Sequence, residues 1–158
     1  MPIIKSAIKR VRQTAKRQKR NLVTKNTYKD RVISCLNKLN DEEIVLFCHE
    51  DMFLYNEPNF KIINDYIDLI KNNECDLIKL IRAFENLQKS TLHENLFINP
   101  SNQLFSIQPT LLKVKTIKYI YNNVPGKNIW EFEANTSKKY LNDLISLCAF
   151  DEFLDKKR

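Results

Sequence analysis

Residues 41–51 read DEEIVLFCHED. The uninterrupted apolar run from Ile44 to Cys48 stands between two acidic clusters, Asp41-Glu42-Glu43 and His49-Glu50-Asp51. A short apolar run with charged flanks has the form of a strand buried on both faces, where the polar–apolar alternation of a half-exposed strand is lost. On the N-terminal side, Tyr28 to Leu39 reads as a helix with Val32, Leu36 and Leu39 along one side. On the C-terminal side, Asn59 to Lys71 reads as a second helix, with Phe60, Ile63, Ile67 and Ile70 facing inward and Asn59 as its N-cap. Asp76 to Ile81 and Gln103 to Ile107 are further strand candidates, and Pro109-Thr110 opens a helix carrying Leu112, Ile117 and Ile120. Pro125-Gly126 marks a turn, Ile129 to Glu133 reads as extended, and a last helix spans Thr136 to Phe150. Strands alternating with helices predict an α/β sheet layer.

Composition narrows the function classes. With 158 residues, 43% of them hydrophobic and 10% aromatic, the chain suits one well-packed core. Its single glycine, Gly126, compares with about 11 at the usual ~7% frequency, which excludes glycine-rich phosphate loops and dinucleotide fingerprints. No apolar run approaches the roughly 20 residues of a membrane span. The first twenty residues are charged throughout, unlike a secretory signal, so a cytoplasmic location is expected. Cys35, Cys48, Cys75 and Cys148 show no metal-ligand spacing and read as reduced, mostly buried thiols.

The net charge of +7 conceals a division. Residues 1–31 hold eleven basic side chains and one acid, Asp30, for +10, whereas residues 32–158 sum to −3. A boundary near residues 24–28 follows, separating a basic helix (1–27) from an α/β domain (28–158). Within the helix, Ile4, Ile8, Val11, Ala15, Gln18 and Leu22 form a narrow seam at alternating spacings of four and three. Lys5, Lys9, Arg12, Lys16 and Lys19 follow one position later as a cationic ridge, which Arg10, Arg17 and Arg20 widen. A polyanion would relieve the mutual repulsion of these cations. The small, β-branched seam suits RNA or protein better than a lipid surface; the plain alternative is a solvated tail.

The opening MPIIKSAIKRVRQTAKRQKRN, residues 1–21, resembles bacterial small-subunit ribosomal protein number twenty. That family is a three-helix bundle on 16S ribosomal RNA. The resemblance implies that Lys5, Lys9, Arg10, Arg12, Lys16, Arg17, Lys19 and Arg20 are RNA contacts. It fades after about Lys29.

Two constellations in the acidic part carry candidate chemistry. Glu50 and Asp51 follow a strand, where side chains commonly face a ligand crevice, and offer the hard oxygens a divalent cation prefers. The alternative is an ordinary charged turn. In Trp130-Glu131-Phe132-Glu133, an extended backbone would place Glu131 and Glu133 on one face, as candidate general bases toward a sugar hydroxyl. The alternative is an edge strand with its acids in water. His93 reads as a surface histidine, and Met52, Phe53 and Tyr55 as core or pocket wall.

Taken in order, LFCHEDMFLY (46–55), DLIKLIR (76–82), LFSIQPTLLKVKTIKYI (104–120) and NIWEFE (128–133) resemble the C-terminal half of bacterial and viral glycosyltransferases with a GT-A-like fold. The resemblance implies a partial GT-A-like mixed sheet with flanking helices, preceded here by the long basic helix. It implies a nucleotide-sugar donor and an acceptor, a divalent metal (Mn or Mg) at Glu50 and Asp51, and Gln108 and Trp130 lining the donor pocket. Glu131 or Glu133 would be the catalytic base. The expectation is a sugar transferase bearing an RNA-binding-type helix; the alternatives are a ribosomal protein binding 16S rRNA, or two sequences joined without selected function.

Overall fold

The computed structural model describes residues 16, 32–48, 58–81, 86–126 and 128–149. The chain divides into two compact units, Met1–Lys38 and Leu39–Arg158. In the first, Lys16 is helical and exposed, and residues 32–36 are helical, with Asn37 N–H donating to the Ile33 carbonyl at 2.9 Å. Residues 28–31 of the expected helix lie outside the described residues.

The second unit is built on a mixed sheet of five strands: β1 (Ile44–Phe47), β2 (Leu77–Lys79), β3 (Leu96–Ile98), β4 (Thr110–Lys113) and β5 (Ser146–Ala149). Their order is β1-β4-β2-β5-β3. Strand β4 is antiparallel to both β1 and β2, β2 is parallel to β5, and β5 is antiparallel to β3. Strands β1, β2 and β5 therefore run in one direction and end at one end of the sheet, where β4 begins. Helices α1 (Phe60–Lys71), α2 (Val114–Asn123) and α3 (Ile129–Ala134) flank it.

The two faces differ. One is apolar: Ile78, Leu96, Leu111, Leu147 and Ala149 pack with Tyr66 and Ile70 of α1. Asn59 caps α1 as expected, its Oδ1 accepting from Ile62 N–H at 3.4 Å. The helix ends in a Schellman arrangement: Asn73 takes a left-handed φ of 58°, and Asn73 and Glu74 N–H donate to the Ile70 and Leu69 carbonyls. Phe60, expected inward, is 62% exposed. The stripe through Ile62, Ile63, Tyr66, Ile67, Leu69 and Ile70 is centred about 100° from Phe60 around the helix.

On the opposite face the register aligns one residue from every strand: Phe47 with Thr110, Thr110 with Lys79, Lys79 with Cys148, and Cys148 with Phe97. Above this row an aromatic cluster joins the covering elements. Phe105 lies 5.6 Å from Phe47 and 6.3 Å from Phe132, and Tyr121 of α2 lies 4.9 Å from Phe132 of α3.

Several local expectations give way to pairing. Strand β1 exists, but as an outer strand rather than a doubly buried one, with Leu46 46% exposed. Residues 110–113, read as the start of a helix, are β4, because β1 and β2 offer hydrogen-bonding partners on both sides; the helix begins only at Val114. Residues 129–133, read as extended, are helical: Asn128 Oδ1 accepts from Glu131 N–H at 2.8 Å and nucleates α3. Of the expected terminal helix 136–150, residues 136–149 are a series of turns followed by β5, which is paired on both sides by β2 and β3; Phe150 lies outside the described residues. Gln103–Ile107 is buried or half-buried but is no strand, and Leu96–Ile98 forms β3 instead.

All four cysteines are free thiols; Cys75 and Cys148 are buried, whereas Cys35 and Cys48 are exposed. His93 is half-buried rather than superficial, its ring edge-on to Tyr66 at 5.2 Å and its Nδ1 accepting from Asn95 N–H. The expected turn at Gly126 is a place of close approach: a Cβ there would lie 2.7 Å from the Cα of Phe132. Gly126→Ala should accordingly displace α3 and destabilise the domain by about 1–3 kcal/mol, measured by urea unfolding; unchanged stability would contradict the close approach.

Candidate functional site

The row Thr110–Lys79–Cys148 is polar at the centre of the sheet, where the opposite face carries Leu111, Ile78 and Leu147. Lys79 is 0% exposed on the middle strand, Thr110 and Cys148 are likewise 0% exposed, and Ser146 is 4% exposed. Burying such groups costs free energy unless each is hydrogen-bonded, so their partners show what holds this face together.

Lys79 and Ser146 find partners on residues 103–107. Lys79 Nζ donates to the Gln103 carbonyl at 3.3 Å, and Ser146 Oγ donates to the Leu104 carbonyl at 2.5 Å. Leu104 N–H donates to the Thr136 carbonyl at 2.6 Å, and Thr136 Oγ1 lies 3.4 Å from Phe105 N and 2.7 Å from the Phe105 carbonyl. Ile107 N–H donates to Glu133 Oε1 at 2.7 Å. The backbone of this segment is thus satisfied largely by side chains and a turn carbonyl instead of a neighbouring strand. That is why an apolar sequence with strand character forms a strap across the polar row.

The strap delivers Gln108 to the end of the sheet. Thr110 Oγ1 donates to the Gln108 carbonyl at 2.9 Å, Ser106 Oγ and Gln108 Oε1 are 3.5 Å apart, and Leu80 N–H donates to the Pro109 carbonyl at 2.8 Å. Because Thr110 pairs with Phe47, Gln108 lies at the end where β1 finishes.

Burial pushes the Lys79 amine below its ordinary 10.5, while Cys148 and Glu133 act in the opposite direction. Lys79 and Glu133 hold the two ends of the strap. A carboxylate, a side-chain amide and a buried amine therefore share one hydrogen-bonded assembly.

No family model, curated protein or solved structure matches the chain.

The structure brings together two of the site residues expected from sequence, Gln108 and Glu133, through the strap. It separates Glu131 from Glu133: two positions apart on a helix, they point about 200° apart, so the expected common face is lost. Glu131 is half-buried, and Trp130 is 74% exposed. Glu50 and Asp51 lie outside the described residues, as do Met52, Phe53 and Tyr55. So do Lys5, Lys9, Arg10, Arg12, Arg17, Lys19 and Arg20. Among the described residues, no group of three or more His, Cys, Asp and Glu could hold a metal ion, and no helix is long and apolar enough to cross a membrane.

Sequence reasoning missed Lys79, Thr136 and Ser146. The available signal was Lys79 itself, a lone cation inside the apolar run Leu77-Ile78-Lys79-Leu80-Ile81. Between the depressed folded-state value and 10.5, the unfolded chain binds more protons at Lys79 than the folded one, so this group's contribution favours folding increasingly as pH rises. The unfolding free energy of the unaltered protein minus that of Lys79→Met should therefore increase with pH across that window and level off above 10.5. Parallel urea titrations from neutral to alkaline pH test this, and a pH-independent difference would refute it.

Proposed function

We propose that the Leu39–Arg158 unit is a glycosyltransferase-like domain of partial GT-A-like fold, transferring a sugar from a nucleotide-sugar donor to an acceptor hydroxyl. The observation that carries this reading is the convergence of three sequence-distant motifs. Strand β1, which leads into Glu50 and Asp51, pairs at Phe47 with Thr110; Gln108 lies two residues before Thr110; and Glu133 is hydrogen-bonded to Ile107 beside it.

In this reading Glu133 is the base rather than Glu131, because Glu133 is the carboxylate that faces the strap. It takes the proton of the acceptor hydroxyl as that oxygen bonds to the anomeric carbon, and the bond from that carbon to the nucleotide diphosphate breaks. Gln108 hydrogen-bonds the donor, and Trp130 presents an exposed ring on the same short helix as the base. Glu50 and Asp51 would hold a divalent cation, Mn or Mg, which neutralises the departing diphosphate.

Glu133→Gln should lower transfer from a nucleotide sugar by about 10²–10⁴, with Glu131→Gln close to the unaltered protein. Chelation should abolish turnover, and Mn or Mg should restore it. Radiolabelled sugar release across a panel of nucleotide sugars measures all three; full activity in Glu133→Gln would sink the assignment.

The charge division favours a second role for residues 1–31, whose +10 suits a polyanion such as 16S ribosomal RNA. Binding of the full chain to ribosomal RNA should weaken with salt, log affinity falling by roughly 0.7–0.9 per neutralised phosphate as log salt rises. Replacing Lys5, Lys9, Arg10, Arg12, Lys16, Arg17, Lys19 and Arg20 by Gln should flatten that slope. Equal slopes would exclude the arm as the binding element.

A further inference from the structure

The geometry points to Lys79 as a positioning residue: from beneath the sheet's polar face it holds the 103–107 strap so that Gln108 and Glu133 stay in register with the end of β1. The inference rests on the transferase reading for what those two residues do, but the positioning itself stands on separate observations.

The strap is attached at both ends by ionisable side chains, Lys79 at the Gln103 carbonyl and Glu133 at Ile107 N–H. Between them, Ser146 and Thr136 bond Leu104 and Phe105. Lys79 is also the one charged side chain in the row crossing the sheet, and it is fully buried. A lysine serving only to fill that space would be improved by an aliphatic side chain of the same length, since burying an amine is costly. Its hydrogen bond to Gln103, and its electrostatic interaction with the Glu133 carboxylate across the strap, give it work that an aliphatic residue cannot perform.

Positioning and simple packing predict different patterns. Lys79→Met removes the desolvation cost, so the thermal midpoint should stay the same or rise. The Ile107 amide, by contrast, should exchange with deuterium about fivefold faster, the opening expected when roughly one hydrogen bond's worth of restraint is lost. Amides of β4 should keep their protection. Lys79→Gln, which retains a donor without the charge, should show the same pattern more weakly. Glu133→Gln combined with Lys79→Met should be non-additive at Ile107, as expected for two groups acting through one segment.

Unchanged exchange at Ile107, or loss of protection at Ile107 and β4 together with a lower thermal midpoint, would overturn the proposal. In the transfer assay, Lys79→Met should reduce kcat with little change in the donor KM. If the unaltered protein transfers no sugar, the transferase reading falls while the exchange measurement still decides the positioning role.

Discussion

The double pairing of β4 is the constraint on which the rest of the domain depends. A strand held antiparallel to β1 on one side and β2 on the other has its backbone groups engaged in both directions, and buried backbone groups tolerate little else. The Leu80 N–H bond to Pro109 carries this ladder one step past the strand. Because β4 runs against its neighbours, the chain entering it arrives where β1 and β2 finish. That geometry brings Gln108 to the strand end that precedes Glu50 and Asp51, although those segments are far apart in sequence.

The sheet then divides labour between its faces. Helix α1 and the aliphatic residues of one face supply non-directional burial. The other face spends part of its area on Lys79, Thr110, Cys148 and Ser146; the strap accepts from Lys79 and Ser146, Gln108 accepts from Thr110, and Thr136 and Glu133 hold the strap in turn. Aromatic contacts among Phe47, Phe105, Tyr121 and Phe132 close this polar layer over with apolar rings. Buried polar groups that break the local packing rule are characteristic of functional regions.

The acidic cluster that precedes β1 is tied into the fold. Asp41 and Glu42 are structural: Lys118 reaches Asp41 at 2.6 Å, and Lys113 and Lys115 reach Glu42 at 2.9 and 2.6 Å. The hydrogen bond from Lys115, followed by that from Lys113, holds the Glu42 carboxyl below its ordinary 4.5. Lys113 also donates to Asn73 at 2.8 Å, tying the end of α1 into the same polar cluster. The charges before β1 therefore fasten the strand to the start of α2, and the fold accounts for them without a ligand.

Much of the local structure was legible in the sequence. Asn59 and the apolar stripe to Ile70 determine α1, because capping and amphipathic spacing act within a few residues. The β1 and β2 runs and the α/β class follow from apolar runs in the same way, and the charge division is complete in the sequence. Tertiary structure decided the rest. Whether 103–107 became a strand or a strap depended on Lys79, Ser146, Thr136 and Glu133, and whether 110–113 became helix or strand depended on β1 and β2. Hydrogen-bond partners tens of residues away set these outcomes, and local spacing carries no record of them.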